Sequence, residues 1–409
     1  MTSMLLRARF VVPVDGPVIE DGAVDIHEGA IRAVGPARDL RVGEAVDFGD
    51  GVIVPGFVNA HTHLELTHLA GRVPPHGHLT DWLLRLVTAL LAEPPTREQI
   101  ESAVTTGTAA SIRAGVTCLG DITRNPAWTR PVLARSSLSG VSFGEVAAVG
   151  NRRHLLDARL AAAIDADDAN ERLHIGVSPH SLYTVEPAAL RACAERAEQL
   201  RLPVCVHLAE AAEEERFART GTGPFAEYLQ RIGVWDDAIA CHGLRPLEAL
   251  RGAGLLGPRT ILAHANYLDD TEIESLAASR TSVAFCPRTH HAFCHAPHPF
   301  RRMLRAGVNV GIGTDSLASN PSLSVLDELR FLRQAHPDVL PDTLLAMGTL
   351  YGARALGLDR QCGSLTTGKR ADLVVIPLPG PSSPWYGILD SDHAPMTVYL
   401  GGFRAAADV

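Results

Sequence analysis

From residue 52 onward, short apolar runs of strand length recur between stretches of helical periodicity, and nearly every run ends on a residue that can titrate or coordinate. The runs are VIVPGFVNA, VTCLGD, VSFGEVA, HIGVSPH, PVCVHLAE, TILAHA, SVAFCP and VNVGIGTD. Continuous apolar strands need cover on both faces, which a parallel sheet wrapped by helices provides. Between them, DWLLRLVTALLA, EPAALRACAERAEQL, TEIESLAAS and SVLDELRFLRQA set apolar residues three and four apart, the spacing of a helix with one buried face. Eight strands alternating with helices predict an α/β fold, a (β/α)8 TIM barrel.

The flanks read differently. LLRARFVV and AVDIHEGAIRAVG before the barrel, and GKRADLVVIPLPG and MTVYLGGFRA after it, are strand-like and rich in turns, so both chain ends are expected to complete one small β-sandwich. The division is 1–54, 55–363 and 364–409. Several partner classes are excluded by the charge and the hydropathy pattern. The net charge of −9 with no basic cluster argues against a nucleic-acid partner. No apolar stretch reaches the roughly 18 residues of a membrane span. MTSMLLRARFVVPVDG lacks the basic and apolar regions of an export signal, and the seven cysteines are scattered, as reduced thiols are; a cytoplasmic location is expected.

Chemistry in such a barrel sits where strands end and loops begin. The strand ends carry His61 and His63, Asp121, Glu145, His180, His207, His264 and Asp315. On a helix, His61 and His63 would diverge by about 200°, whereas on a strand they share a face. A metal shared by both requires the strand, and further ligands must come from elsewhere, for which His207 and Asp315 are the candidates. A lone pair of histidines could equally hydrogen-bond a loop; the recurrence of coordinating residues at later strand ends favours the metal. In VHLAEAAEEE, Glu210 sits where the strand turns into the loop, within reach of a metal-bound water. Glu213 to Glu215 fit the acidic first turn of a helix, where the dipole favours them.

PGFVNAHTHLE, SPHSLYT, VHLAE, ILAHANYLDD and GIGTDS, in this order and spacing, resemble the amidohydrolase superfamily, in its cytosine deaminase-like and guanine deaminase-like branch. The resemblance spans nearly the whole chain, with GSLTTGKRADLVVI matching the return into the flanking sandwich. It implies one divalent metal ion, zinc with iron as the alternative, held by His61, His63, His207 and Asp315. It further implies Glu210 as the proton-shuttling carboxylate, His264 as the residue orienting the attacking water or the developing oxyanion, and His180 as a substrate contact. Other branches bridge two metals with a carbamylated lysine at the end of strand four. HIGVSPH has no lysine, and the one lysine among 37 basic residues, Lys369, lies outside the barrel strands, so a mononuclear site is expected. Glu145 reads as a substrate contact, with metal ligation as its alternative. His63-Leu64-Glu65 matches the first half of the zinc nucleobase deaminase signature, which continues with PCxxC. No PCxxC is present, which leaves Glu65 as a pocket wall facing substrate.

FCPRTHHAFCHAPHPF, 285–300, follows the seventh strand and is expected over the barrel mouth, where Arg288, His290 and His295 would read a polar substrate. Its spacing matches no usual structural zinc pattern. The segment also resembles a CPRSH stretch, followed by GTDSLASN, of the subgroup near aminodeoxyfutalosine deaminases, with Thr289 where that stretch has serine and Cys294 where glycine is common. Ser319 and Asn320 read equally as a helix cap and as substrate contacts. The expected activity is hydrolytic deamination of an aminated N-heterocycle of purine or nucleoside type, aminodeoxyfutalosine among the candidates, with a metal-bound hydroxide as nucleophile and a small molecule as the partner. S-adenosylhomocysteine or methylthioadenosine deaminase, guanine deaminase and triazine-type chlorohydrolase share the metal chemistry and are the alternatives. A catalytically silent binding scaffold would show a lost ligand, and none is missing. The resemblance also leaves a homodimer open.

Overall fold

Pro55-Gly56 cuts the apolar run 52–60 in two. In the computed structural model, which describes residues 3–40, 44–380, 382–395 and 397–405, Gly51–Pro55 belongs to one sheet and Phe57–Thr62 opens another. A Cβ at Gly56 would lie 2.1 Å from Thr117 Oγ1, so the chain passes there only as glycine. The run expected as one barrel strand is therefore two strands with different partners.

The second sheet holds the eight parallel strands of the barrel: β1 (Phe57–Thr62), β2 (Val116–Thr123), β3 (Ser139–Val146), β4 (Leu173–Pro179), β5 (Val204–Leu208), β6 (Thr260–His264), β7 (Ser282–Phe285) and β8 (Val310–Ile312). They are hydrogen-bonded in chain order, with helices between them. The four apolar periodic stretches form helices Leu79–Ala92, Pro187–Leu200, Asp270–Ser279 and Val325–Ala335. Strand β8 is shorter than VNVGIGTD suggests, because the chain leaves extended geometry before Asp315, whose φ is +57°. None of the described helices is long and apolar enough to cross a membrane.

Closure of the barrel rests on a narrow seam. One bridge, Thr62 to Asp315, joins the ends of β1 and β8. The amides of Thr314 and Asp315 donate to the His61 carbonyl at 3.0 and 3.1 Å. Asn59 locks the seam from within: its Nδ2 donates to Thr314 Oγ1 at 2.7 Å, and its Oδ1 accepts from Thr314 N at 3.1 Å and His61 N at 3.3 Å. A Cβ at Gly313 would sit 2.9 Å from both the Cβ and the carbonyl oxygen of His61, so β8 approaches β1 closely only because that residue is glycine.

The two flanks form a sheet domain of eight strands. Its order is Phe403–Arg404, Thr397–Leu400, Leu373–Pro377, Gly51–Pro55, Ser3–Val11, Ile19–His27, Ala30–Pro36, with Glu44–Asp47 pairing Ser3–Val11 beside Gly51–Pro55. Within Gly51–Pro55, Val52 and Val54 pack into the cluster shared with the barrel helices while Ile53 joins the opposite cluster, the alternation a pleated strand imposes. Residues 1–2, 41–43, 381, 396 and 406–409 of the expected flanks lie outside the described residues. Asn59 is buried, so Asn59→Ala removes three buried hydrogen bonds at the seam, to Thr314 Oγ1 and from the Thr314 and His61 amides. A loss of at least about 2 kcal/mol in unfolding free energy is expected, measured by denaturant titration.

Candidate metal centre and active-site cavity

Four of the ten non-glycine residues with positive φ among those described sit at the ends of barrel strands: Ala209 (+49°), His264 (+69°), Ala265 (+52°) and Asp315 (+57°). Side chains other than glycine pay for that conformation in energy, and such residues collect where geometry serves a site. Here the turns bend the chain inward at the mouth of β5, β6 and β8. The strand β1 ends at Thr62, and His63 begins the next turn, yet both imidazoles of the HxH pair converge with that of His207.

The ligand atoms of His61, His63 and His207 lie within 4.8 Å of one another, the single cluster of this kind among the described residues. His63 Nε2 and His207 Nε2 are 3.2 Å apart, and Asp315 Oδ1 lies 3.5 Å from His63 Nε2 and 3.9 Å from His61 Nε2. The His207 Nδ1 faces the His180 carbonyl at 3.0 Å. A carbonyl only accepts, so Nδ1 carries the proton and the Nε2 lone pair points at the cluster. His61 Nε2 is buried and has no hydrogen-bond partner.

Burial holds all three imidazoles in the ligating, neutral form: it pushes His61 and His63 well below the ordinary histidine value and His207 down to about 3. Three neutral imidazoles converging on one point, beside an unpartnered buried nitrogen, fit a divalent cation of borderline softness. Asp315 Oδ1 stands beside two of these imidazoles, the placement that the expectation of a fourth ligand requires. Its other oxygen, Oδ2, accepts from Ser319 Oγ, which fixes the carboxylate. That places Ser319 behind the aspartate, in neither the capping nor the substrate role the sequence suggested.

Above the cluster lies a cavity of about 490 Å³. His63, His180, His207, Glu210, His264 and Asp315 line its floor. Glu210 Oε1 and His264 Nε2 are 3.7 Å apart. Burial, reinforced by Asp315 and Glu214, raises the Glu210 carboxyl well above its usual range, and burial holds His264 neutral. One wall is apolar, supplied by Trp82, Leu83, Leu86, Val87 and Leu90 of helix Leu79–Ala92. The lining also carries charge, with Arg124, Arg152 and Arg159 near Glu145, and with Glu65.

Glu65 and Glu145 both face the cavity, but each is engaged by protein. The Glu65 carboxylate accepts from Thr123 Oγ1, Arg124 N and Asn125 Nδ2 at 3.0–3.1 Å, and Arg124 Nε lies 3.5 Å from Glu145 Oε1. His180 Nδ1 is 2.7 Å from Thr184 Oγ1. The segment 285–300 departs from expectation. Arg288, His290 and His295 are absent from the cavity lining. Arg288 turns inward to the buried Glu328, bonding it through N at 2.8 Å and Nε at 2.7 Å, because a carboxylate with no solvent needs a charged partner. His290 Nε2 is bound to the Ala296 carbonyl at 2.9 Å and His295 Nδ1 to Tyr267 OH at 3.1 Å. Asn320 also donates to Glu328, at 2.8 Å, so these residues brace the loop that carries Asp315.

Residues 52–402 match the sequence model of the Amidohydrolase family. The chain belongs to the amidohydrolase family. The 5-methylthioadenosine/S-adenosylhomocysteine deaminase of Nitratidesulfovibrio vulgaris Hildenborough is 34% identical to it over 397 residues, covering 92% of this chain and 84% of that one. Among solved structures, an adenosine deaminase from Xanthomonas campestris with bound zinc superposes with a TM-score of 0.85 at 28% identity, over 98% of this chain and 92% of that one. The aminofutalosine deaminase of Helicobacter pylori shares the fold, with a TM-score of 0.86 at 23% identity over 99% and 100%. This amidohydrolase is thus a hydrolase of carbon–nitrogen bonds with a histidine-built metal site.

Two outcomes test the centre. His63→Ala is expected to lose bound metal, read by elemental analysis. In the metal-free protein burial raises Asp315 to about 7, and ligation needs the carboxylate, so an ion bound below that pH must displace a proton. The apparent affinity should then fall by about tenfold per pH unit on the acid side, measured by chelator competition. An affinity that stays flat there removes Asp315 from the ligand set.

Proposed function

We propose that the protein is a mononuclear, zinc-dependent hydrolytic deaminase of adenine nucleosides whose 5′ side carries an acidic group, S-adenosylhomocysteine being the type. The observation that carries the reading is the meeting of Glu210, His264 and Asp315 with three neutral imidazoles on the floor of one cavity. The relatives named above supply the substrate class, and the cavity walls refine it. The apolar helix face suits a flat base and a thioether, while three guanidiniums against two carboxylates leave the charged part of the lining positive. A reducing, cytoplasmic setting goes with it, since all seven cysteines are unpaired.

A divalent ion in the His61, His63 and His207 cluster, with Asp315, supplies Lewis-acid activation of a water. The residues of the chain do the rest. The buried Glu210, whose carboxyl is raised well above its usual range, donates to a ring nitrogen of the base, which makes the adjacent carbon electrophilic. Asp315 Oδ1 accepts the proton of the attacking water, and His264 holds the developing oxyanion by a hydrogen bond. Asp315 then hands that proton to the leaving amine, ammonia departs, and the new hydroxyl returns a proton to Glu210 as it becomes the carbonyl.

Ammonia release from adenosine, 5-methylthioadenosine, S-adenosylhomocysteine and guanine tests the reading; turnover confined to a substrate without an amine would end it. Glu210→Gln should keep its metal and lose about 10²–10⁴ in kcat, the usual worth of acid/base help. Arg152→Ala should raise KM for S-adenosylhomocysteine and leave that for 5-methylthioadenosine unchanged. Equal effects on both would remove the anionic subsite.

A further inference from the structure

Three glutamates in a row, Glu213 to Glu215, open helix Glu213–Thr220. Two behave as surface acids, with side chains 37% and 41% exposed for Glu213 and Glu215. Glu214 between them is fully buried, and helix-dipole preference gives no reason to bury a carboxylate. Its Oε2 accepts from the Glu210 amide at 3.1 Å, and the Ala209 amide also bonds to its carboxylate. On the other side of the same residue, Asn266 Nδ2 donates to the Glu210 carbonyl at 2.8 Å, and the Asn266 amide donates to the Ala209 carbonyl at 3.1 Å. Asn266 is itself buried.

The residue so gripped needs it. Ala209 holds φ at +49°, a conformation that alanine rarely adopts unaided, and it sets the direction in which Glu210 leaves the strand. Released from the two grips, the 209–210 backbone would relax toward ordinary extended geometry and swing the carboxyl away from His264 and the imidazole cluster. The hydrogen bonds converge on the backbones of two adjacent residues, Ala209 and Glu210, and touch no cavity-facing atom of Glu210.

We infer that Glu214 and Asn266 are positioning residues for this reaction: a clamp on the Glu210 backbone that aims its carboxyl at the substrate nitrogen. The inference rests on the reading of Glu210 as the acid/base. An amide oxygen accepts the same two hydrogen bonds as a carboxylate oxygen, so the clamp depends on the acceptor and not on its charge. Glu214→Gln should therefore work where Glu214→Ala does not.

The test uses the full-length, metal-loaded protein with S-adenosylhomocysteine as probe, reading kcat, KM and metal content for Glu214→Ala, Glu214→Gln and Glu210→Gln. Glu214→Ala should lose about 100-fold in kcat, the cost of misplacing a reacting group by about 1 Å, with KM and metal content kept, and Glu214→Gln should restore most of it. Should Glu214→Ala not accumulate as folded protein, Asn266→Ala opens the carbonyl side of the clamp and is read by the same criteria. An unchanged kcat, a loss carried by KM or by metal content, or a glutamine variant as impaired as alanine overturns the inference. An active Glu210→Gln overturns the underlying reading and the inference with it; an inactive Glu210→Gln beside a fully active Glu214→Ala overturns the inference alone.

Discussion

The seam between β1 and β8 is the constraint on which the rest of the molecule depends. The barrel closes through the His61 carbonyl, the amides of Thr314 and Asp315, and the side chain of Asn59 between them. Two residues whose backbones close the barrel, His61 and Asp315, also bring their side chains to the imidazole cluster. Barrel closure and ligand convergence are consequently a single event, and the spacing of His61 from Asp315 is as rigid as the sheet itself. Gly313 makes this contact feasible, since any side chain there would force β8 away from His61.

A second constraint is dielectric. Burial is the main reason the histidines of the cavity floor stay neutral; it raises the Asp315 carboxyl to about 7 and, with Asp315 and Glu214 nearby, lifts the Glu210 carboxyl well above its usual range. A cation held by the three imidazoles would favour the ionised form of Asp315, whose Oδ1 lies 3.5 Å from His63 Nε2.

Much of this was legible in the chain. Periodicity was enough for the alternation of strands and helices, and the HxH pair with His207 is where coordinating side chains meet, although strand parity is not the reason, since the strand ends at Thr62 and His63 opens the next turn. What depends on three-dimensional neighbours was not legible. VIVPGFVNA reads as one apolar run, and only the proximity of Thr117 to Gly56 explains its division. Arg288 reads as a mouth residue from its place after β7, but a buried glutamate 40 positions on, Glu328, claims it. Glu214 is indistinguishable from Glu213 and Glu215 in sequence, since its burial is decided by the direction of a single helical turn. The charged wall, from Arg124, Arg152 and Arg159, is assembled from residues that no spacing rule connects.

The pairing of Gly51–Pro55 with Leu373–Pro377 has a consequence in time. During synthesis the strand at 51–55 is made early and its partner emerges only after every barrel strand. Such a pairing closes one of the longest loops in the chain, and contacts of that separation form late and slowly. Until then Val52, Ile53 and Val54 present an apolar strand with an unpaired edge, the kind of surface that chaperones hold and that aggregation recruits. The nascent chain is therefore most vulnerable at the segment that immediately precedes its metal ligands.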